Sequence, residues 1–367
     1  LSKPEKSALV KIDHLAFSFP LADLRHCKNA NLSSLSKKGN KAISKLDFPN
    51  FPKFHAQRVS GSHDEALDQI QKHKDLQEKI LQNYYIKTLF SFCYHALGFT
   101  LSESRKKGFH GYSDSMTLYS RNGAECGFIG IGGQANTVYI QISGGGCKHL
   151  FDHTSPMELH HWLTNVLAVS KFTRIDLARD CFDNNFTSHY AESAYMDEAF
   201  RNGAGGAMVE CEPERRGKPT KNGWVFSKDQ FTVGRRENPI YWRIYDKRLE
   251  QGIKPVFDES GAIDNHWWRN EVELKKWPVD ALLNPESAFG GICEFSASMI
   301  DTVGVRTKSM NKAKEACLDL ASRVKWVRHA AGKALGDILK LTNNNLELTV
   351  GLILKEELSG KLGLPPT

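Results

Sequence analysis

The sequence predicts an α+β protein with an antiparallel-sheet core and a C-terminal all-α segment. Three observations lead there. Short segments alternating polar and apolar residues at period two recur between residues 9 and 275, separated by glycine-rich and polar turns. Hydrophobic residues make up 40% and charged residues 25% of the chain, an ordinary globular balance that excludes a disordered chain, a collagen-like fibre or a small disulfide scaffold. After Pro278 the character changes, and residues 310–358 carry apolar residues at helical spacing. At about 150 residues per domain, we expect an N-terminal α+β domain over 1–125, a second over 126–300 that carries the chemistry, and a helical segment over 301–367.

The elements follow in order. Residues 9–20, LVKIDHLAFSFP, read as a strand with Ile12, His14, Ala16 and Ser18 on one face and Lys11, Asp13, Leu15, Phe17 and Phe19 on the other. Residues 25–60 are polar and interrupted by Pro49 and Pro52, which predicts a loop or insertion. Asp64 and Glu65 open a helix continued to Leu97 by Leu67, Ile70, Leu76, Ile80, Leu81 and Leu89. A basic turn at 106–109 precedes strands at 115–119, 126–131 and 137–143. Gly144, Gly145 and Gly146 then predict a forced turn. A helix is expected over 156–168, a strand over 172–180 and a helix over 193–201. A glycine-rich joint at 203–206 and a charged, flexible stretch over 209–222 follow. Strands are expected at 230–233, 241–246 and 267–274. Lys11-Ile12-Asp13-His14-Leu15-Ala16 resembles Arg174-Ile175-Asp176-Leu177-Ala178, about one domain length later. A duplicated α+β unit opening on this strand is one explanation, and chance the other.

The chain has 49 Lys and Arg against 42 Asp and Glu, a net charge of +7 that permits an anionic partner. Nine Lys or Arg against three acids lie between Arg306 and Lys340. These cations either solvate a helix face or hold phosphates, with Lys325 and Arg328 the leading DNA contacts. Eight scattered cysteines form no C-x-x-C pair and read as reduced, mostly buried thiols. Mean hydropathy is −0.43, and no stretch approaches the roughly 18 apolar residues a membrane span requires. Without an apolar leader at residues 1–6, the expected location is the cytoplasm.

Chemistry-bearing residues gather on three of the strands. Arg174, Asp176 and Asp180 share one face of the first. Arg269, Glu271 and Glu273 share a face of another, and Tyr241, Arg243, Tyr245 and Lys247 a face of the third. Side by side in one sheet, the carboxylates Asp176, Glu271 and Glu273 would offer hard oxygens to Mg²⁺ or Mn²⁺. Arginine and lysine beside them would hold phosphate oxygens, and a tyrosine there could attack phosphorus. The same residues read equally as a half-exposed sheet face: Asp176 as the partner of Arg174 or Arg269, Tyr245 as a rim tyrosine. Trp267 and Trp268 read as core. Tyr241 and then Tyr139 follow Tyr245 as nucleophile candidates.

Gly234-Arg235-Arg236 followed by Arg243-Ile244-Tyr245-Asp246-Lys247 resembles the signature of rolling-circle replication initiators. This is the family of small plasmids and filamentous phages, and the chain looks most like its CTX-type phage branch. Ile142-Ser143-Gly144-Gly145-Gly146-Cys147, Arg174–Asp180 and Arg269–Lys275 resemble three further motifs, in family order. The resemblance implies a site-specific DNA nicking-closing enzyme. Tyr245 would join a 5′ phosphate at the origin, with Arg243 and Lys247 beside it, and leave a 3′ hydroxyl as primer. Arg235 and Arg174 would touch DNA, a divalent ion would assist, and a host helicase and polymerase, with a homodimer, would be partners. No His-hydrophobe-His strand is present; the adjacent His160 and His161 read as helix-surface residues, so a metal would fall to carboxylates. The serine common after the glycine–arginine pair is absent too. Two alternatives remain: a non-catalytic origin-binding regulator, and a metal-dependent nuclease or phosphatase that uses water.

Overall fold

A computed structural model of the chain describes residues 10–30, 47–55, 58–201, 206–220, 223–257, 259, 263–300 and 334–345. The chain divides into two compact units, Leu1–Thr307 and Lys308–Thr367. In the second, residues 334–341 are helical, as Leu335, Ile338 and Leu339 predict. The rest of the predicted helical tail, with Lys325 and Arg328, lies outside the described residues.

The first unit is α+β and carries a ten-stranded antiparallel sheet. Its strands are β1 (Lys11–Pro20), β2 (Thr100–Leu101), β3 (Asp114–Tyr119), β4 (Glu125–Ile131), β5 (Thr137–Ile142), β6 (Lys171–Cys181), β7 (Cys211–Thr220), β8 (Gly223–Val233), β9 (Ile240–Asp246) and β10 (Trp268–Pro278). Their order across the sheet is β2-β3-β4-β5-β1-β6-β10-β9-β8-β7. The topology repeats. Outward from the centre β1 is followed by β5, β4, β3 and β2, and β6 by β10, β9, β8 and β7, so each first strand lies beside the last strand of its own half. The two first strands pair antiparallel at the middle. These are the two segments whose sequences resemble each other, and the repeat gives that short similarity a structural meaning. The boundary expected at residue 125 falls on the first residue of β4, and the sheet runs through it.

A helix stands between the first and second strands of each half: α1 (His63–Phe92) and α4 (Ser188–Met196). Ser62 caps α1 with a reciprocal box to Glu65, as the acidic start implies. Helices α2 (Gly144–His153) and α3 (Pro156–His161) follow β5, while α6 (Pro285–Gly290) and α7 (Glu294–Ser298) follow β10. A further turn of helix, α5 (Lys247–Glu250), follows β9. One sheet face is apolar. On it Phe19 meets Phe92, and Phe92 meets Trp162, at centroid distances of 6.1 and 5.7 Å. In the other half Trp242 packs on Phe289 and Phe295 at 5.4 and 5.6 Å. These aromatic clusters, with the buried aliphatic residues around them, hold helices to the sheet.

Four local expectations change. Gly144–Gly146 do not form a turn but open α2, and a Cβ on Gly146 would lie 2.4 Å from the Cys126 carbonyl oxygen, so glycine lets α2 approach β4. Residues 211–220, expected to be flexible, are strand β7, because β8 supplies ladder partners along its length. The helix expected at 193–201 starts at Ser188, where the Thr187 side chain caps it. On β1 the predicted faces hold from His14 onward and slip before it. Asp13 is bulged between the pairs Ile12↔Leu177 and His14↔Asp176, which places Lys11 on the face of Ala178 and turns Ile12 toward the core.

Candidate active site

The second sheet face is polar, and its residues are set by register. On β6, Arg174, Asp176, Ala178 and Asp180 stand opposite Lys275, Glu273, Glu271 and Arg269 of β10. On β9, Tyr241, Arg243 and Tyr245 stand opposite Glu273, Glu271 and Arg269 of the same strand. The three predicted polar faces are therefore neighbours on one surface. Antiparallel pairing keeps partners about 5 Å apart, so charges meet across strands without long reaches.

Two ion-pair groups result. In the first, Arg174 donates from Nε and Nη2 to both Asp176 oxygens, at 2.8 and 2.6 Å. Its Nη2 also lies 3.0 Å from Glu273. Burial opposes the charge on Arg174, but the hydrogen bond to Asp176 and the Asp176 and Glu273 charges together outweigh it and hold the guanidinium above its usual pKa. Of the alternatives for Asp176, the structure selects Arg174. In the second group, Arg269 donates from Nε and Nη2 to the two oxygens of Asp180, at 2.7 and 2.9 Å, and from Nη1 to Asp13 at 3.1 Å. Lys11 adds a 3.1 Å contact to Asp180. Asp13 and Lys11 are not among the site residues the sequence predicts. The missing signal was the β1 bulge, which no period-two reading contains.

Tyr245 stands opposite Arg269 of the second group. Its hydroxyl donates to Glu271 Oε2 at 3.1 Å, and the other Glu271 oxygen accepts from Arg243. Burial first, and the Glu271 carboxylate second, push the Tyr245 hydroxyl well above its usual pKa. The Arg243 guanidinium and the Lys247 ammonium lie 5.7 and 5.5 Å from the Tyr245 ring centroid, within cation–π range. Lys247 also pairs with Glu250. Beside Tyr245 opens a cavity of about 230 Å³, lined by Lys228, Gln230, Arg243, Asp246 and Glu250 among others. A phenol held protonated, a carboxylate accepting its proton and two cations at the ring are the parts of a general-base-assisted nucleophile.

Arg235 does not join this group. It sits in the turn after β8, exposed and paired with Glu210. Its neighbour Arg236 reaches further in, 4.0 Å from Glu273 and 5.7 Å from the Tyr241 ring centroid. The turn itself depends on Gly234, whose φ is +82°. Tyr241 shares the face of Tyr245 but neighbours Glu273, whose oxygens face Arg174, Arg236 and Lys275. Tyr139, in the other half, bonds Gln141 at 3.3 Å, and burial raises its pKa to about 12. His160 pairs with Asp280 at 2.9 Å, which leaves it structural.

The expected metal site does not take shape from these carboxylates. Asp176 is held by Arg174, Glu271 by Arg243 and Tyr245, and Glu273 by Arg174, Arg236 and Lys275. Among the described residues no three His, Cys, Asp or Glu side chains gather as a donor set. The arrangement does not fit a bound divalent cation.

Comparison with known proteins bears on the same segment. No curated protein sequence matches the chain. Among solved structures, a rolling circle replication initiator protein from Geobacillus stearothermophilus is similar, at 15% identity and a TM-score of 0.44, over 77% of this chain and 83% of that one. Among the described residues no helix is long and apolar enough to cross a membrane. The model of the replication initiation factor family matches residues 170–351, the stretch that holds β6, β9, β10 and the tyrosine cluster. Over that stretch the chain is similar to the replication initiation factor family.

Proposed function

We propose that the protein starts rolling-circle replication by nicking one strand at an origin through a covalent link to Tyr245. The observation that carries this reading is the Tyr245 hydroxyl donating to Glu271, between two cations. A hydroxyl held above its usual pKa is a poor nucleophile until a base takes its proton. Glu271 lies at general-base distance.

The step balances as a transesterification. The Tyr245 oxygen bonds to phosphorus, its proton passes to Glu271, and the bond from phosphorus to the 3′ oxygen breaks, the departing oxygen taking up a proton from solvent. The products are a 5′-phosphotyrosine and a free 3′ hydroxyl, the end a polymerase extends. One phosphodiester replaces another, so rejoining needs no nucleotide hydrolysis. Arg243 and Lys247 offset the charge that builds on the phosphoryl oxygens. Arg174 and Arg236, further along the same face, are placed to hold neighbouring backbone phosphates. Arg235, Lys325 and Arg328 remain proposed DNA contacts. A divalent ion, Mg²⁺ or Mn²⁺, would have to displace an arginine from Asp176, Glu271 or Glu273. Host helicase, polymerase and a second copy of the chain are the partners that this reading expects.

The test is to incubate the protein with supercoiled origin plasmid across a titration of Mg²⁺ and Mn²⁺ and look for a denaturant-resistant protein–DNA adduct. Adduct at Tyr245 supports the reading. Nicks without adduct would point to water-based hydrolysis, and retention without nicks to a regulator.

A further inference from the structure

The outer end of the β7–β8 hairpin is unlike the rest of the sheet. Only Gln230–Val233 of β8 pair with β9, whereas β7 and β8 continue to pair from Arg216↔Lys228 out to Thr220↔Gly223. At ~3.3 Å per residue, this two-stranded ribbon projects roughly 15 Å beyond its last neighbour. It begins at the wall of the Tyr245 cavity, which Ser227 and Lys228 line.

Its composition is one-sided. Residues 215–228 include five Lys or Arg and no acid. Arg215 is turned inward to Glu192 and Asp229, and Arg216 and Lys228 share Glu214. Lys218 is exposed, with no ion pair among the described residues. Near the end, Trp224 is 62% exposed and Val225 is 60% exposed. The Trp224 and Phe226 rings stand nearly parallel, with centroids 6.3 Å apart and planes at 17°. Gly217 faces Phe226, and a Cβ there would come within 3.1 Å of the ring. An exposed tryptophan over a second ring, on a cationic ribbon, wants a flat apolar partner attached to negative charge.

We infer that the β7–β8 ribbon is a DNA-binding arm for the strand-separated region beside the nick, with Lys218 on a backbone phosphate and Trp224 stacked on an unpaired base. This rests on the nicking reading of Tyr245 for its location and deepens it by naming the DNA form bound. Continuity with the Tyr245 cavity and charge complementarity favour DNA as occupant. A second protein strand added along β7 is disfavoured, because Pro213 and Pro219 remove ladder donors from that edge. A base stacks on an aromatic ring only after it is unstacked from its duplex and offers its face.

The experiment uses the full chain and a labelled duplex of arbitrary sequence with a central unpaired bubble. Trp224→Ala should weaken bubble binding about tenfold, in line with one lost stack, and Trp224→Phe should restore most of it. Lys218→Ala should reduce the salt slope of binding by about one. Both are exposed substitutions, and adduct formation on saturating single-stranded origin oligonucleotide should stay at the wild-type level. Unchanged bubble affinity in Trp224→Ala overturns the arm. So does an affinity loss that Trp224→Phe does not recover, or a change of sedimenting mass with DNA affinity intact, since the ribbon would then serve another chain. If the wild-type protein forms no adduct but the ribbon variants lose bubble binding, the nicking reading fails and the arm stands.

Discussion

Tyr245 on β9 and Glu271 on β10 stand diagonally across one strand pair, and the tyrosine hydroxyl donates to the carboxylate at 3.1 Å. The residue directly opposite Glu271 is Arg243, and the one directly opposite Tyr245 is Arg269. Both guanidinium groups are already committed to carboxylates. The phenol is therefore paired with a base inside a frame of satisfied charges.

Replacing Tyr245 with phenylalanine removes one oxygen and keeps the ring between Arg243 and Lys247. We expect origin binding to persist and adduct to vanish on denaturing gels. Wild-type adduct in this variant would transfer the nucleophile's role to Tyr241.

Glu271→Gln keeps an acceptor for Arg243 and removes the base. Adduct formation should slow by about 10²- to 10⁴-fold, the usual worth of a positioned base. Its pH dependence should change as well. Burial holds the Tyr245 hydroxyl protonated past its usual range, so without the base the reactive phenolate must form by ionisation, and the rate should climb steadily with alkaline pH. A rate that stays level with pH, equal to wild type, would remove Glu271 from the reaction.

Arg174→Ala should destabilise the fold. Asp176 and Glu273 are both nearly buried, and each loses a guanidinium partner. Breaking a buried pair on one side costs about 3–5 kcal/mol. Because Arg174 keeps 26% of its side chain exposed, we expect the low end, read from urea unfolding. The double variant Arg174→Ala, Asp176→Ala should recover part of the loss, as coupled partners do. Strict additivity would dissolve the pair.

His14 gives the acid limb of stability a specific origin. It lies opposite Asp176 on the polar face, its Nε2 has no hydrogen-bond partner among the described residues, and burial lowers its pKa to about 4 from 6.5. The unfolded chain binds the proton more readily, so the histidine's contribution is intact above pH 6.5 and is lost progressively as pH falls toward 4. His14→Gln should flatten the pH dependence of the urea midpoint across that window. An unchanged slope would assign the acid lability to other groups.

Much of this site was legible in the sequence because strand alternation is a local property. Period two alone assigns Arg174, Asp176 and Asp180 to one face, Arg269, Glu271 and Glu273 to another, and Arg243 and Tyr245 to a third, and the register brings the three together. The long helix from His63 was equally plain, since its capping box and apolar spacing lie within the segment. The strand at 211–220 was not, because charged residues, prolines and a glycine carry no intrinsic β preference and become a strand only through β8.

The sequence by itself determined the α+β class, the polar strand faces and a short echo between residues 11–16 and 174–178. Tertiary structure decided which charges pair. Asp176 takes Arg174 while Arg269 turns to Asp180 and Asp13, because the bulge at Asp13 resets the faces of β1 and sheet register sets the neighbours of each carboxylate. It also decided that three carboxylates expected as metal ligands spend their oxygens on arginine, lysine and tyrosine. Ion pairing depends on distances between strands far apart in the chain, and those are fixed only when the ladder closes.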